Sequence, residues 1–481
     1  MAGIGFQLKK LVDDSNNYGG LRAFTYSSVI ISGPMILCII QLLIGQKLLM
    51  YSGSTFMERE LLLTGTMYTF VFSQIIIGGF LMVVTRYVSD QIYLEKEENI
   101  VSSLFGVIAI IVLIGGLASI AFYATSPLGM TFKIVAYLFF MELLIVNILA
   151  IYISAVKKYM QIVLAYGMGA LTAAISMGLC LQLVDYLKAE HMMACMAAGF
   201  IVAIVFLIKS IKERFPEANK NCFDFLSYIQ QYPSLFFIGL FYSLSLFSHI
   251  FIVWSSDLQV VVSNTFVMAP FYDVPVFYAY LSIIPAMVMF VVSMETSFYK
   301  VYKRYYEKVS GEYSLGQIND SKNKMFQVLT RELVNIMEFQ LFFTILAIAL
   351  GLTVIPLSTE QIHIYNLLVI GNYFFIIMFI LMQILLYFDD RKGALIVISS
   401  YMVVSMMSMI AVIFIGGNYG LAGFCSGLTG LVIAFWRIYH YGKNIDYYTY
   451  CTQPLFVREN INFLTRVANR MNEINREERG N

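Results

Sequence analysis

Three ionisable side chains sit in or beside long apolar runs: Glu142 in FFMELLIVNIL, Arg86 in MVVTRYVSD and Glu295 in VVSMETSFYK. A charge at the middle of a bilayer costs about 2.5–3.5 kcal/mol on insertion scales, so such groups turn to protein or water. Two roles fit Glu142, with Asn147 five residues on: a hydrated translocation path, or a carboxyl that is protonated, or bonded to a polar neighbour, purely for packing. Arg86 and Glu295 end two similar runs and could latch to each other; the alternative is two separate charges snorkelling to water. After Glu295, Phe298, Val301, Tyr302, Tyr305 and Val309 recur at helical spacing with Lys300, Lys303, Arg304 and Lys308 mainly between them. That pattern reads as an amphipathic helix on a membrane surface, with Tyr302, Arg304, Tyr305 and Tyr306 as candidates for docking a partner or anionic lipid. His249, in SLFSHIFIVW, reads as a packing residue or a proton carrier.

Covalent chemistry has no such foothold. The six cysteines form no CxxC pair, and the four histidines are scattered, so neither metal nor cofactor is expected. Neither a phosphate-cradling glycine loop nor a Ser/His/Asp arrangement is present, which argues against an enzyme.

The elements that must position these residues follow from composition. The 481 residues are 59% hydrophobic and 13% charged, against roughly 25% charged in soluble domains, so an all-α integral membrane protein is expected. A spanning helix needs about 20 apolar residues. Twelve windows qualify, near 24–48, 65–87, 101–124, 132–156, 160–184, 191–209, 234–254, 274–297, 333–356, 363–387, 393–415 and 420–441. With the N-terminus inside, 27 of the 31 Lys and Arg residues fall on the inner side and Lys47, Arg59, Lys133 and Lys188 on the outer. The positive-inside rule then puts both termini in the cytoplasm of a multi-pass cell-membrane protein. GIGFQLKKLV at the start, with Ile4, Leu8, Leu11 and Val12 on one side, reads as an interfacial helix.

The runs ending at Arg86 and Glu295 resemble each other, as do those ending IYISAVKKYM and LLYFDDRKGA. This repetition divides the chain into a six-helix lobe at 1–208, a cytoplasmic linker at 209–233, a second lobe at 234–442 with an insert at 298–331, and a tail at 443–481, helical around 461–478. Two equivalent lobes suit a secondary transporter with a central path. Pro34, Gly78–Gly79, Pro275 and Pro285 are candidate hinges.

MAGIGFQLKKL, ISGPM, YPSL, FYDVPVFYAYLSIIP, ETSFYKVYKRYYEKV and YFDDRKGAL together resemble the PelG family, the membrane subunit of the Pel exopolysaccharide system, over Met1 to about Pro454. The chain departs from the family pattern at His249, where the family has an aspartate, and in its last 39 residues. The resemblance implies a twelve-helix fold of the multidrug/oligosaccharidyl-lipid/polysaccharide (MOP) flippase superfamily. It also implies outward movement of an N-acetylgalactosamine-rich polymer, beside a cytosolic glycosyltransferase and a cyclic di-GMP receptor, with no nucleic-acid partner. The residues matching its motif are Tyr272, Asp273, Pro275, Glu295, Tyr305 and Tyr306, which adds Tyr272 and Asp273 to the candidate path. Other readings are a cation-coupled small-molecule antiporter, a lipid-linked oligosaccharide flippase, and a scaffold that only assembles the synthase.

Overall fold

The computed structural model describes residues 19–155, 158–451 and 463–478, excepting the side chains of 19–23, 295 and 475–478. The interfacial helix expected from Ile4 to Val12 lies outside these residues. All twelve expected spans are present as helices long and apolar enough to cross a membrane. The first lobe holds α1 (Gly19–Tyr51), α2 (Phe56–Tyr93), α3 (Glu98–Ala124), α4 (Met130–Ala155), α5 (Tyr159–Leu183) and α6 (Ala189–Arg214). A short helix, α7 (Phe225–Gln231), lies in the linker and leads into α8 (Pro233–Trp254), the seventh span.

The eighth span differs from a single straight helix. It consists of α9 (Pro270–Leu281), α10 (Ile284–Ser293), a π-helical turn at Met294–Phe298 and α11 (Tyr299–Ser310). Pro285 supplies no backbone N–H for the Leu281 carbonyl and its ring crowds that turn, and the helix breaks at Ser282–Ile283. Within the break, the Ser282 carbonyl accepts from the fully buried Gln340 side chain at 2.9 Å, which helps the break persist inside a membrane. The remaining spans are α12 (Leu315–Thr353), α13 (Thr359–Tyr387), α14 (Arg391–Ile415) and α15 (Gly420–Lys443), followed by short α16 (Ile445–Tyr450) and α17 (Phe463–Glu478).

Packing repeats after six spans. In the first lobe α1 lies on α5, α2 and α3 on α4, and α4 and α5 on α6. In the second, α8 lies on α14, α9 and α12 on α13, and α13 and α14 on α15. The lobes meet along two seams, α2 with α8 and α1 with α10, which are also equivalent under that shift. The loops carrying most of the basic residues join the spans at one end, the basic face.

Candidate functional site

The α2–α8 seam is closed along its length. At its centre two helix backbones touch: a Cβ built on Gly239 would lie 2.1 Å from the Gly78 carbonyl oxygen, and one on Gly78 would strike Ser243. Gly79 gives room to the Phe236 ring. These glycines, candidate hinges by sequence, therefore serve close helix approach, as small residues commonly do between membrane helices. Pro34 likewise sits inside the continuous helix α1.

At the end away from the basic face, a hairpin that the sequence pattern did not announce bridges the lobes. Strands β1 (Val260–Val262) and β2 (Phe266–Met268) pair antiparallel, turning through Ser263 and Asn264, each at φ 49°. Positive φ at both positions suits a tight hairpin turn. The Tyr68 hydroxyl, from the first lobe, donates to the Val267 carbonyl at 2.8 Å and accepts from its amide at 2.9 Å. Phe266 is fully buried among first-lobe rings, with Tyr68 at 4.9 Å, Phe122 at 5.9 Å and Phe132 at 6.2 Å. The signal for this element was present in VVVSNTFVM, two mostly β-branched or aromatic triplets flanking a turn pair.

Behind the hairpin lie Asp273 and Tyr272. Asp273 accepts from the Trp254 indole at 3.0 Å and the Ala269 amide at 2.8 Å, while Trp254 stacks on Tyr68 at 5.1 Å. The Tyr280 hydroxyl donates to the Leu246 carbonyl at 2.9 Å, so it accepts from His249 Nε2 at 3.0 Å. His249 Nδ1 is then the acceptor for the Tyr272 hydroxyl at 2.9 Å. Both ring nitrogens are used, which favours the packing reading of His249 over the proton carrier. Tyr272 is fully buried. Tyr272 and Asp273 thus tie α9 to α8 in a shared scaffold, separated by most of the seam from Arg86.

Arg86 ends the same seam at the basic face. It binds Asp90 one turn on at 3.1 Å and lies over the Tyr232 ring at 5.5 Å. Arg391, from the second lobe, covers the same ring at 4.9 Å and pairs with Asp389 at 3.2 Å. One tyrosine is therefore clasped by a guanidinium from each lobe, each neutralised by its own carboxylate. The expected latch between Arg86 and Glu295 has a counterpart here in different groups. Glu295 itself occupies the π-helical turn, a feature that recurs at functional sites; its side chain lies outside the described residues.

Glu142 sits midway along α4, and its Oε2 is buried without a hydrogen-bond partner among the described residues. Asn147 spends its amide on the Leu143 carbonyl at 2.9 Å and receives Gln74 of α2 at 3.5 Å. A carboxyl bonded to a polar neighbour therefore lacks that neighbour at this oxygen among the described residues, while a protonated packing carboxyl is untouched by the observation.

The Tyr-rich strip is an amphipathic helix as expected, but its aromatic side faces inward. Tyr305 is fully buried, the Tyr302 hydroxyl donates to the Tyr387 carbonyl at 2.9 Å, and Tyr306 lies 4.7 Å from Tyr302. Tyr305 is thus enclosed by the chain itself, whereas Tyr302 and Tyr306 are half-buried. What α11 leaves exposed is Lys300, Lys303, Arg304, Glu307 and Ser310.

A buried ion pair was not foreseen. Arg437 donates to both Asp390 oxygens at 2.6 and 2.8 Å, and Asp390 Oδ1 also accepts from the Gly393 amide at 3.0 Å, capping α14. The acidic pair in YFDDRKG, inside an otherwise basic turn, was the visible half of this signal.

The family model PelG, described as "Putative exopolysaccharide Exporter (EPS-E)", matches residues 1–450. Among curated proteins no relative matches the sequence. Of solved structures, the fold is similar to an outward-facing multidrug resistance MATE family transporter of the MOP superfamily, at TM-score 0.65 and 11% identity over 92% of this chain and 99% of that one. It is also similar to the Vibrio cholerae MATE transporter VcmN in its bent form (TM-score 0.57, 12% identity, 92% and 98% covered). A MOP superfamily transporter from Pyrococcus furiosus Vc1 is similar at TM-score 0.59 and 10% identity, with 93% and 99% covered. Identities this low speak for the fold alone. With the family match over nearly the whole chain and a twelve-span transporter fold built from two six-span lobes, the chain belongs to the PelG family of multi-pass membrane proteins.

Proposed function

We propose that this chain is the transport subunit that moves a Pel-type, N-acetylgalactosamine-rich exopolysaccharide outward across the cytoplasmic membrane. The observation that carries the reading is the family match over residues 1–450 on a transporter fold. In this reading both termini and the basic face are cytoplasmic, as the charge asymmetry favours. The lobes at 1–208 and 234–442 flank the path, and a cytosolic glycosyltransferase with its cyclic di-GMP receptor works at the basic face. Arg86 with its clasp and Glu295 in the π-helical turn belong to the inner mouth, Glu142 to the path wall, and Tyr272 and Asp273 to the scaffold near the outer end. The exposed Lys303 and Arg304 of α11 are left for a partner or for anionic lipid.

A cation-coupled antiporter is the second reading, favoured specifically by the unpartnered Glu142 oxygen and the multidrug transporter neighbour. The test is the location of polymer in cells lacking this chain, then in cells restored with Glu142→Ala or Glu295→Gln at matched protein levels. Trapped polymer in the deletion and in the variants is expected. No polymer anywhere in the deletion, with both variants normal, would make the chain a scaffold; normal export with altered drug sensitivity would make it an antiporter.

A further inference from the structure

Helix α17 lies past the residues matched by the family model, yet it is seated on the linker between the lobes. The Asn472 side chain accepts from the Phe223 amide at 3.0 Å and donates to Asp224 Oδ1 at 2.7 Å. The Gln230 side chain accepts from the Leu464 amide at 2.9 Å. Asn472 and Ala468 are buried, at 4% and 2% exposure, and Met471 packs into the core of the first lobe. A segment that follows the second lobe in sequence is thereby fixed to the first.

The linker it grips leads directly to the clasp. Tyr228 of α7 packs edge-on against Tyr87 of α2 at 5.0 Å, and α7 ends at Tyr232, the ring held between Arg86 and Arg391. The position of α7 therefore fixes the position of the ring that both arginines share. The partly exposed arginines, at 47% and 30% side-chain exposure, make the clasp weak by itself, so it leans on whatever holds α7: its own Phe225 and Leu226 in the first-lobe core, and α17.

We infer that α17 is an intramolecular strap: docked on residues 223–230 it keeps Tyr232 between the two arginines and the basic-face ends of the lobes together, and undocked it lets them part. The inference rests on the two-lobe transport reading for its purpose, but not on the cargo. Its test accordingly uses no cargo. Spin labels at Lys96→Cys and Lys392→Cys, both exposed positions on opposite lobes, report lobe separation in the purified full chain with the exposed Cys425 and Cys451 replaced by Ser. Asn472→Asp sets a carboxylate against Asp224, and like charges in contact repel. The expected result is a shift of the distance distribution to longer, broader values. Adding Asp224→Asn to that variant restores a donor–acceptor pair and should return the parent distribution. An unchanged distribution in Asn472→Asp overturns the strap. So does failure of the double variant to restore it, because the first effect would then be damage rather than undocking.

Discussion

At the scale of single residues, the polar groups divide into those whose bonds are filled and those left open. Asp390 and Arg437 are filled: two short charge-assisted bonds and a helix cap converge on one carboxylate with 6% side-chain exposure. Removing one member of a buried pair leaves the other uncompensated, at about 3–5 kcal/mol. Asp390→Asn should therefore lower thermal stability in detergent strongly, whereas Asp389→Asn, whose side chain is 61% exposed, should barely move it; equal effects would contradict the assignment. Glu142 is the open case. Its place on α4 was legible because a carboxylate stands out in an apolar run; that its Oε2 has no partner among the described residues was not, since that depends on what α2 and α6 bring alongside. Asp390 stood in plain view in YFDDRKG, but its partner lies 47 residues on in another helix. Spacing carries no information about such a pair. His249 shows the reverse: its two tyrosine partners come from one neighbouring helix, and the bonds to them explain a histidine in a span without any proton traffic.

At the scale of elements, the sequence was most readable where one physical signal dominated. Twelve apolar stretches near 20 residues were sufficient to find every span, and the amphipathic strip from Phe298 to Val309 and the tail expected to be helical around 461–478 each contain a helix, at Tyr299–Ser310 and Phe463–Glu478. Periodicity finds an apolar side without saying what covers it, so the strip alone named Tyr302, Tyr305 and Tyr306 as docking candidates without showing that Tyr305 is enclosed by the chain itself. Its two sides now make opposite predictions. Tyr305→Ala empties a fully buried site and should cost about 3–5 kcal/mol, as large aromatic truncations do. Arg304→Glu, on the exposed side, should leave stability within about 0.5 kcal/mol while lowering polymer output if the basic side meets a partner or anionic lipid. A stability loss from Arg304→Glu with none from Tyr305→Ala would reverse the orientation given to this helix. The break in the eighth span was foreshadowed by Pro285, but the Gln340 side chain that makes it tolerable comes from α12 and left no local trace. The hairpin was missed because two triplets of strand are too short to stand out between strong helical signals.

At the scale of the whole molecule, the repeat of packing after six spans gives two seams with different furnishings. The α2–α8 seam is held at one end by the hairpin and Tyr68, in the middle by Gly78 against Gly239, and at the other end by the Tyr232 clasp. Parting it requires all three to give way. The α1–α10 seam is joined by apolar side chains, with Tyr26 grouping with Val291 and Val292, and by Phe24 against Phe339 of α12 at 5.8 Å. The central claim, that polymer passes between two lobes that must move relative to one another, is tested most directly by tethering the lobes across this seam. A short thiol cross-linker across Tyr26→Cys and Val291→Cys, with Cys425 and Cys451 replaced by Ser, should stop export and leave polymer inside the cell, and cleaving the tether should release it. Complete cross-linking with export undiminished would contradict the claim.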